Sequence, residues 1–178
     1  MGTDAGRGRR TTIDGPGEIS GMTGGEQGVS VYGCGISAAG PVLVRNVHVH
    51  DNRCGIVSAY THRLALEDVS VTNNVDDGIT YFSDTKHKRV SGERVTVTGN
   101  GGAGIRAPRT LSLKEATITG NGGGGAIAGF RIGANDSALT GNGVSGDVAS
   151  FRASLRNTTC EHSVDLETGG TLGLCSLD

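Results

Sequence analysis

In a chain of 178 residues, sixteen Lys and Arg stand against eighteen Asp and Glu, a net charge of −2, so no global positive field draws it to nucleic acid or to an anionic membrane. No apolar run approaches the ~20 residues of a membrane span, and the opening residues lack the apolar centre of a secretion signal. Aromatic residues make up 3 %, Trp is absent and Gly occurs 32 times, a composition suited to a narrow interior filled by Val, Ile, Leu and Ala.

Residues 1–10, rich in Gly and charge, read as a flexible lead-in to a single domain spanning 11–178. Residues 11–27, with Pro16 and closely spaced glycines, form a weak cap without an amphipathic helix. From Val29 the chain repeats itself, with matching strand starts at Val29, Val47, Val69, Val95, Ala116 and Ser137, in steps of 18, 22, 26, 21 and 21 residues. Units of this length cannot bury an apolar face singly and must stack on one another. Within each unit apolar residues alternate with polar ones, as in Val69/Val71, Val95/Val97 and Ala116/Ile118, which is the period of a half-buried strand. A second alternation precedes each of these (Val42/Val44, Leu64/Leu66, Leu111/Leu113), and a third follows at Ile56, Ile79, Ile105 and Ile127. Three short strands per repeat describe a coil. Asn52, Asn74, Asn100, Asn121 and Asn142 recur at one corner, where Gly and Asn adopt positive backbone torsions and stacked amides bond to their copies.

The segments "NRCGI", "NNVDDGI" and "NGGAGI" resemble the repeat of the right-handed parallel β-helix family, the pectate-lyase-like superfamily, in which a strand, an Asn, a spacer and Gly-Ile recur. The resemblance covers about residues 11–178 and implies an all-β, single-stranded solenoid of six to seven coils. It is specific for fold and weak for chemistry, because lyases, hydrolases, epimerases and tailspikes share the architecture. Coil ends expose unpaired strand edges, so either self-association through an end or face or truncation from a longer chain is expected.

Cys34 and Cys54 both stand before Gly-Ile, at equivalent places of adjacent coils, within disulfide reach but equally able to pack as stacked free thiols. Cys160 and Cys175 flank the last coil and could staple it, which would suit an oxidising compartment. The chain is expected outside the cell if a leader has been removed, and in the cytoplasm otherwise.

Chemistry is expected where the coils stop resembling each other, after Gly-Ile. There Tyr60, His62, Tyr81, Asp84, Lys86, His87, Arg106, Arg109 and Arg131 come from successive coils, and Phe82 and Phe130 lie close by. Together they would form a cationic cleft with aromatic walls, suited to a uronate-like carbohydrate or another anionic small molecule. Lyases of this fold take a base and a charge neutraliser from Lys, Arg or bound calcium, so the resemblance implies Lys86, Arg106 or Arg109 in those roles, with His62 or His87 as acid or base. Tyr60, Tyr81, Asp84 and Arg131 would contact substrate. His48 and His50 share a second polar face and could act as an acid–base pair. No cofactor is required by this reading; Asp51, Asp76 and Asp77 are the calcium candidates. The expected function is a lyase or isomerase acting on such an anionic carbohydrate; a non-catalytic surface-binding or structural β-helix and a small-molecule biosynthetic cyclase or lyase on the same scaffold remain the alternatives.

Overall fold

The computed structural model describes residues 11–21, 33–38, 41–59, 63–82 and 89–178. They form sixteen strands and no helix: β1 (Thr11–Ser20), β2 (Cys34–Ala38), β3 (Val42–His50), β4 (Cys54–Ala59), β5 (Arg63–Thr72), β6 (Ile79–Phe82), β7 (Arg89–Glu93) and β8 (Thr96–Thr98). They continue as β9 (Ala103–Ala107), β10 (Thr110–Lys114), β11 (Thr117–Thr119), β12 (Gly124–Asn135), β13 (Ala138–Thr140), β14 (Val148–Arg156), β15 (Thr159–Cys160) and β16 (Ser163–Asp165). Every pairing is parallel and joins one coil to the next, which makes the fold a parallel β-helix.

Three faces result. Face one stacks β1, β3, β5, β7, β10, β12 and β14. Face two stacks the second halves of β1, β3 and β5 on β8, β11, β13 and β15. Face three stacks β2, β4, β6, β9, the first halves of β12 and β14, and β16. The alternation read from sequence sends one residue in two inward, and like residues superpose: Val42, Leu64, Val90, Leu111 and Ile132 form one buried column, Val49, Val71, Val97, Ile118 and Leu139 another.

Residues 11–20, expected in a weak cap, are instead the first rung, paired with β3. The strand start at Val29 and the lead-in at 1–10 lie outside the described residues. The rung beneath the two histidines is supplied by Glu18 and Ser20.

The Asn corner is present with its torsions displaced by one residue. Positive φ belongs to Asp51, Asn73, Gly99, Gly120 and Gly141, each immediately before a ladder Asn. The Asn side chains turn inward: Asn74, Asn100 and Asn121 donate Nδ2–H to Oδ1 of the next Asn at 2.8, 2.9 and 2.9 Å. The same oxygens accept backbone N–H groups of Asn74, Asn100 and Asn121 from the rung below at 3.0–3.1 Å. At the top, Asn142 Nδ2 donates to the buried Asp147 carboxylate at 2.7 Å. The glycine before each Ile serves close approach rather than torsion. A Cβ on Gly104 would lie 2.7 Å from Ile118 Cγ2 and 2.9 Å from Asn121 Nδ2.

From β3 onward the corner between faces one and two uses no glycine, whereas the β1 rung turns it with Gly15 and Pro16. Asn46, Asp68, Arg94, Glu115, Asp136 and Asn157 all hold φ between 46° and 55°, a left-handed conformation costing roughly 1 kcal/mol for a residue with a Cβ. Side-chain bonds between rungs offset part of this. Arg94 forks onto Asp68 at 2.6 and 2.9 Å, and Asn157 donates to Asp136 at 2.7 Å.

All four cysteines are bonded: Cys34 to Cys54 between adjacent coils, with Cα atoms 4.4 Å apart, and Cys160 to Cys175 across the final coil, at 4.9 Å.

Candidate functional site

Five strands of face one carry a common pentapeptide pattern, "RLALE" in β5, "RVSGE" in β7, "TLSLK" in β10, "RIGAN" in β12 and "RASLR" in β14. With period two, the first, third and fifth residues point outward, and register turns each position into a row along the solenoid. The first row is Arg63, Arg89, Thr110, Arg131 and Arg152. The middle row is Ala65, Ser91, Ser112, Gly133 and Ser154, all small. The third is Glu67, Glu93, Lys114, Asn135 and Arg156. A groove of about 280 Å³ runs over the small row, with Arg63 on one wall and Glu93, Lys114 and Asn135 on the other.

The two walls differ electrostatically. In the middle of the third row charges compensate: Lys114 lies 2.9 Å from Glu93 and 3.3 Å from Glu115, and Arg94 reaches Glu93 at 2.8 Å. The hydrogen bond from Lys114 holds the Glu93 carboxyl below the usual range, and the same bond raises the Lys114 ammonium. In the first row, Arg63 stacks on Arg89 and Arg131 on Arg152, an arrangement that repels. Among the described residues none of these four arginines has a carboxylate partner. A bulge in β12 between Ala128 and Arg131 turns Phe130 outward, and Arg109 O accepts both Phe130 N–H and Arg131 N–H at 3.0 and 2.9 Å. The Arg109 and Arg152 guanidinium groups lie over the Phe130 ring, 5.3 and 5.9 Å from its centroid.

A sequence model for the right handed beta helix region matches residues 5–147 of the chain. The chain belongs to the right-handed β-helix family. No curated protein and no solved structure matches it.

In this β-helix the residues expected to share one cleft divide among three places. Arg131 belongs to the arginine row and Arg109 borders it. Arg106 does not join them: it projects from face three, paired in register with Thr80 and Ile127, because the corner at Ala107–Arg109 separates it from face one. Its Nε donates to Asp77 Oδ2 at 2.9 Å. Burial raises the Asp77 carboxyl, but hydrogen bonds from Arg106, the Ala103 N–H and the Thr80 hydroxyl outweigh it and hold the pKa below its ordinary value. Asp77 and Arg106 thus clamp successive coils. Tyr81, expected on a cleft wall, faces the core at 2 % exposure, since its parity in β6 is inward. Tyr60, His62, Asp84, Lys86 and His87 lie outside the described residues.

The carboxylates considered for calcium have other partners. Asp76 meets Arg53 at 3.2 Å, Asp77 meets Arg106, and Asp51 meets His50 Nδ1 at 2.7 Å. His48 and His50 stand on face two, ring centroids 4.4 Å apart, away from the groove. Sequence reasoning missed Arg152 and the row of small residues. The signal was available in the aligned pentapeptides, whose third position never exceeds Ser in size.

Proposed function

We propose that this β-helix binds an anionic polysaccharide lengthwise in the groove of face one, its carboxylates meeting Arg63, Arg89, Arg131 and Arg152. The observation that supports this reading is the uncompensated arginine row beside a floor of small side chains. Arginines on neighbouring rungs are ~4.8 Å apart at the backbone, and a guanidinium fork suits a carboxylate. The floor lets a chain of sugar rings lie close to the sheet, and Phe130 supplies an apolar ring at the edge. The bonded cysteines favour an oxidising surrounding, where such polymers occur outside the cell.

A uronate lyase is the enzymatic form of this proposal. β-Elimination removes the proton α to the uronate carboxylate, the electron pair expels the glycosidic oxygen, and cationic groups stabilise the dianion that forms between. Arg109 and Arg131 would neutralise the carboxylate, and the base would come from Lys86 or His87, just before Arg89 in the sequence. Arg106, committed to Asp77, serves the scaffold instead.

Calorimetric titration with oligouronates tests the proposal, with ultraviolet absorbance of the unsaturated product as the measure of turnover. Binding that weakens at least tenfold in Arg131→Ala and falls with salt is expected. Affinity unchanged in an Arg89→Ala/Arg131→Ala double variant would overturn the groove as the site. Binding without any unsaturated product would leave a non-catalytic carbohydrate-binding β-helix.

A further inference from the structure

Face two carries a second cluster of chemistry-bearing side chains, at the end of the solenoid opposite Asp147. His48 and His50 project from the same face of β3, and β1 places Glu18 in register with His48. One carboxylate oxygen of Glu18 and one ring nitrogen from each histidine all lie within 4.8 Å of one another. The hydrogen bonds around them decide which ring nitrogens are left for a ligand. Asp51 Oδ2 lies 2.7 Å from His50 Nδ1, so the ring proton belongs on Nδ1 and Nε2 keeps its lone pair. That Nε2 is buried without a hydrogen-bond partner, 4.0 Å from Glu18 Oε2. His48 Nε2 lies 2.9 Å from Thr72 Oγ1, which leaves Nδ1 of that ring for a ligand.

We propose that Glu18, His48 and His50 bind a divalent transition-metal ion of the zinc class. Two imidazoles and one carboxylate form a borderline donor set that suits zinc-type ions better than calcium or magnesium, whose sites are built from oxygen. Asp51 plays the outer-sphere part common at such centres, accepting the far N–H of a metal-bound imidazole to set its orientation and basicity. Three protein ligands leave a coordination position open to water or to a ligand donor atom. The buried, unpartnered His50 Nε2 is the observation that separates this cluster from an ordinary polar face, because a buried nitrogen left without a partner is costly. Among the described residues a second comparable group, Asp147 with Glu161 and His162, lacks that property: both Asp147 oxygens accept hydrogen bonds, from Asn142 and from the Glu161 and His162 N–H groups.

Titration of the metal-stripped full chain with Zn²⁺ by calorimetry, and with Co²⁺ by visible absorption, tests the site independently of any catalytic activity. One equivalent is expected to bind, with a Co²⁺ spectrum of low coordination number. A loss of at least tenfold in affinity is expected for His50→Ala and for Glu18→Gln, and about tenfold to a hundredfold for Asp51→Asn, the usual cost of removing an outer-sphere partner. His162→Ala should bind as the parent does. Glu18→Gln preserves shape, so it reports on ligation even where a histidine variant misfolds. Absence of stoichiometric Zn²⁺ binding, or binding unchanged in Glu18→Gln and His50→Ala, would overturn the proposal.

Discussion

Asp147 shows how one side chain can close a repetitive structure. The ladder from Asn52 to Asn142 would end on an Asn142 backbone N–H without an acceptor, and the chain meets it with a buried carboxylate that accepts from Asn142 N and Nδ2, Glu161 N and His162 N. Asp147→Ala should cost about 2–5 kcal/mol, because several buried donors lose their acceptor at once, and urea denaturation would measure it. Asn100→Ala should cost a similar amount by breaking the ladder in the middle. At Asp77 the consequence lies in pH. Its folded pKa is below the ordinary 3.8, so its stabilising effect is present above that value and is lost as pH falls below it toward the folded pKa. An acid denaturation series should therefore show a steeper loss below about pH 4 for the parent than for Asp77→Asn, in which the group does not titrate.

At the scale of the strand and its corner, glycine and non-glycine positions exchange their expected roles. Glu115 holds φ at 52° with only a surface contact to Lys114, so Glu115→Gly should stabilise by about 0.5–1 kcal/mol through relief of left-handed strain. Gly104 has an ordinary torsion yet no room, and Gly104→Ala should destabilise by about 1–3 kcal/mol by pressing on Ile118 and the Asn121 amide. Chemical denaturation of both variants checks the opposite signs. A pattern of Gly-Ile repeats makes the glycines visible in sequence, but whether each serves torsion or clearance depends on what the next coil places beside it.

Across the whole molecule, the two disulfides sit at the two ends of the solenoid, joining β2 to β4 and closing the last coil. The closed loops, with sequence separations of 20 and 15 residues, correspond to about 3 kcal/mol each in the chain-entropy view. Because coils contact mainly their neighbours, stability along a solenoid is local. Reduction should lower the melting temperature and release amide protons first near Cys34 and Cys160, while the middle rungs around Val97 and Ile105 keep their protection in hydrogen exchange. Uniform loss of protection would show instead that the coils unfold as one unit.

The sequence by itself determined the repeat, the parity of each strand and the identity of the inward columns, because stacking requires every coil to present the same spacing to the next and a strand sends alternate residues to opposite sides. The Asn ladder and the place of Cys34 beside Cys54 follow from the same register. Three decisions belonged to tertiary structure. Arg106 and Arg109 are three residues apart, yet a corner between them puts one in a clamp with Asp77 and the other beside the arginine row. Which arginines remain uncompensated depends on carboxylates one rung away, 29 residues off in the case of Asp77 and Arg106. Glu18 reaches His48 because β1 docks on β3 across an intervening stretch of chain that holds Gly35-Ile36 but no ladder Asn; no local pattern encodes that pairing, which forms because the open edge and apolar columns of the first full coil are covered when one more strand is added.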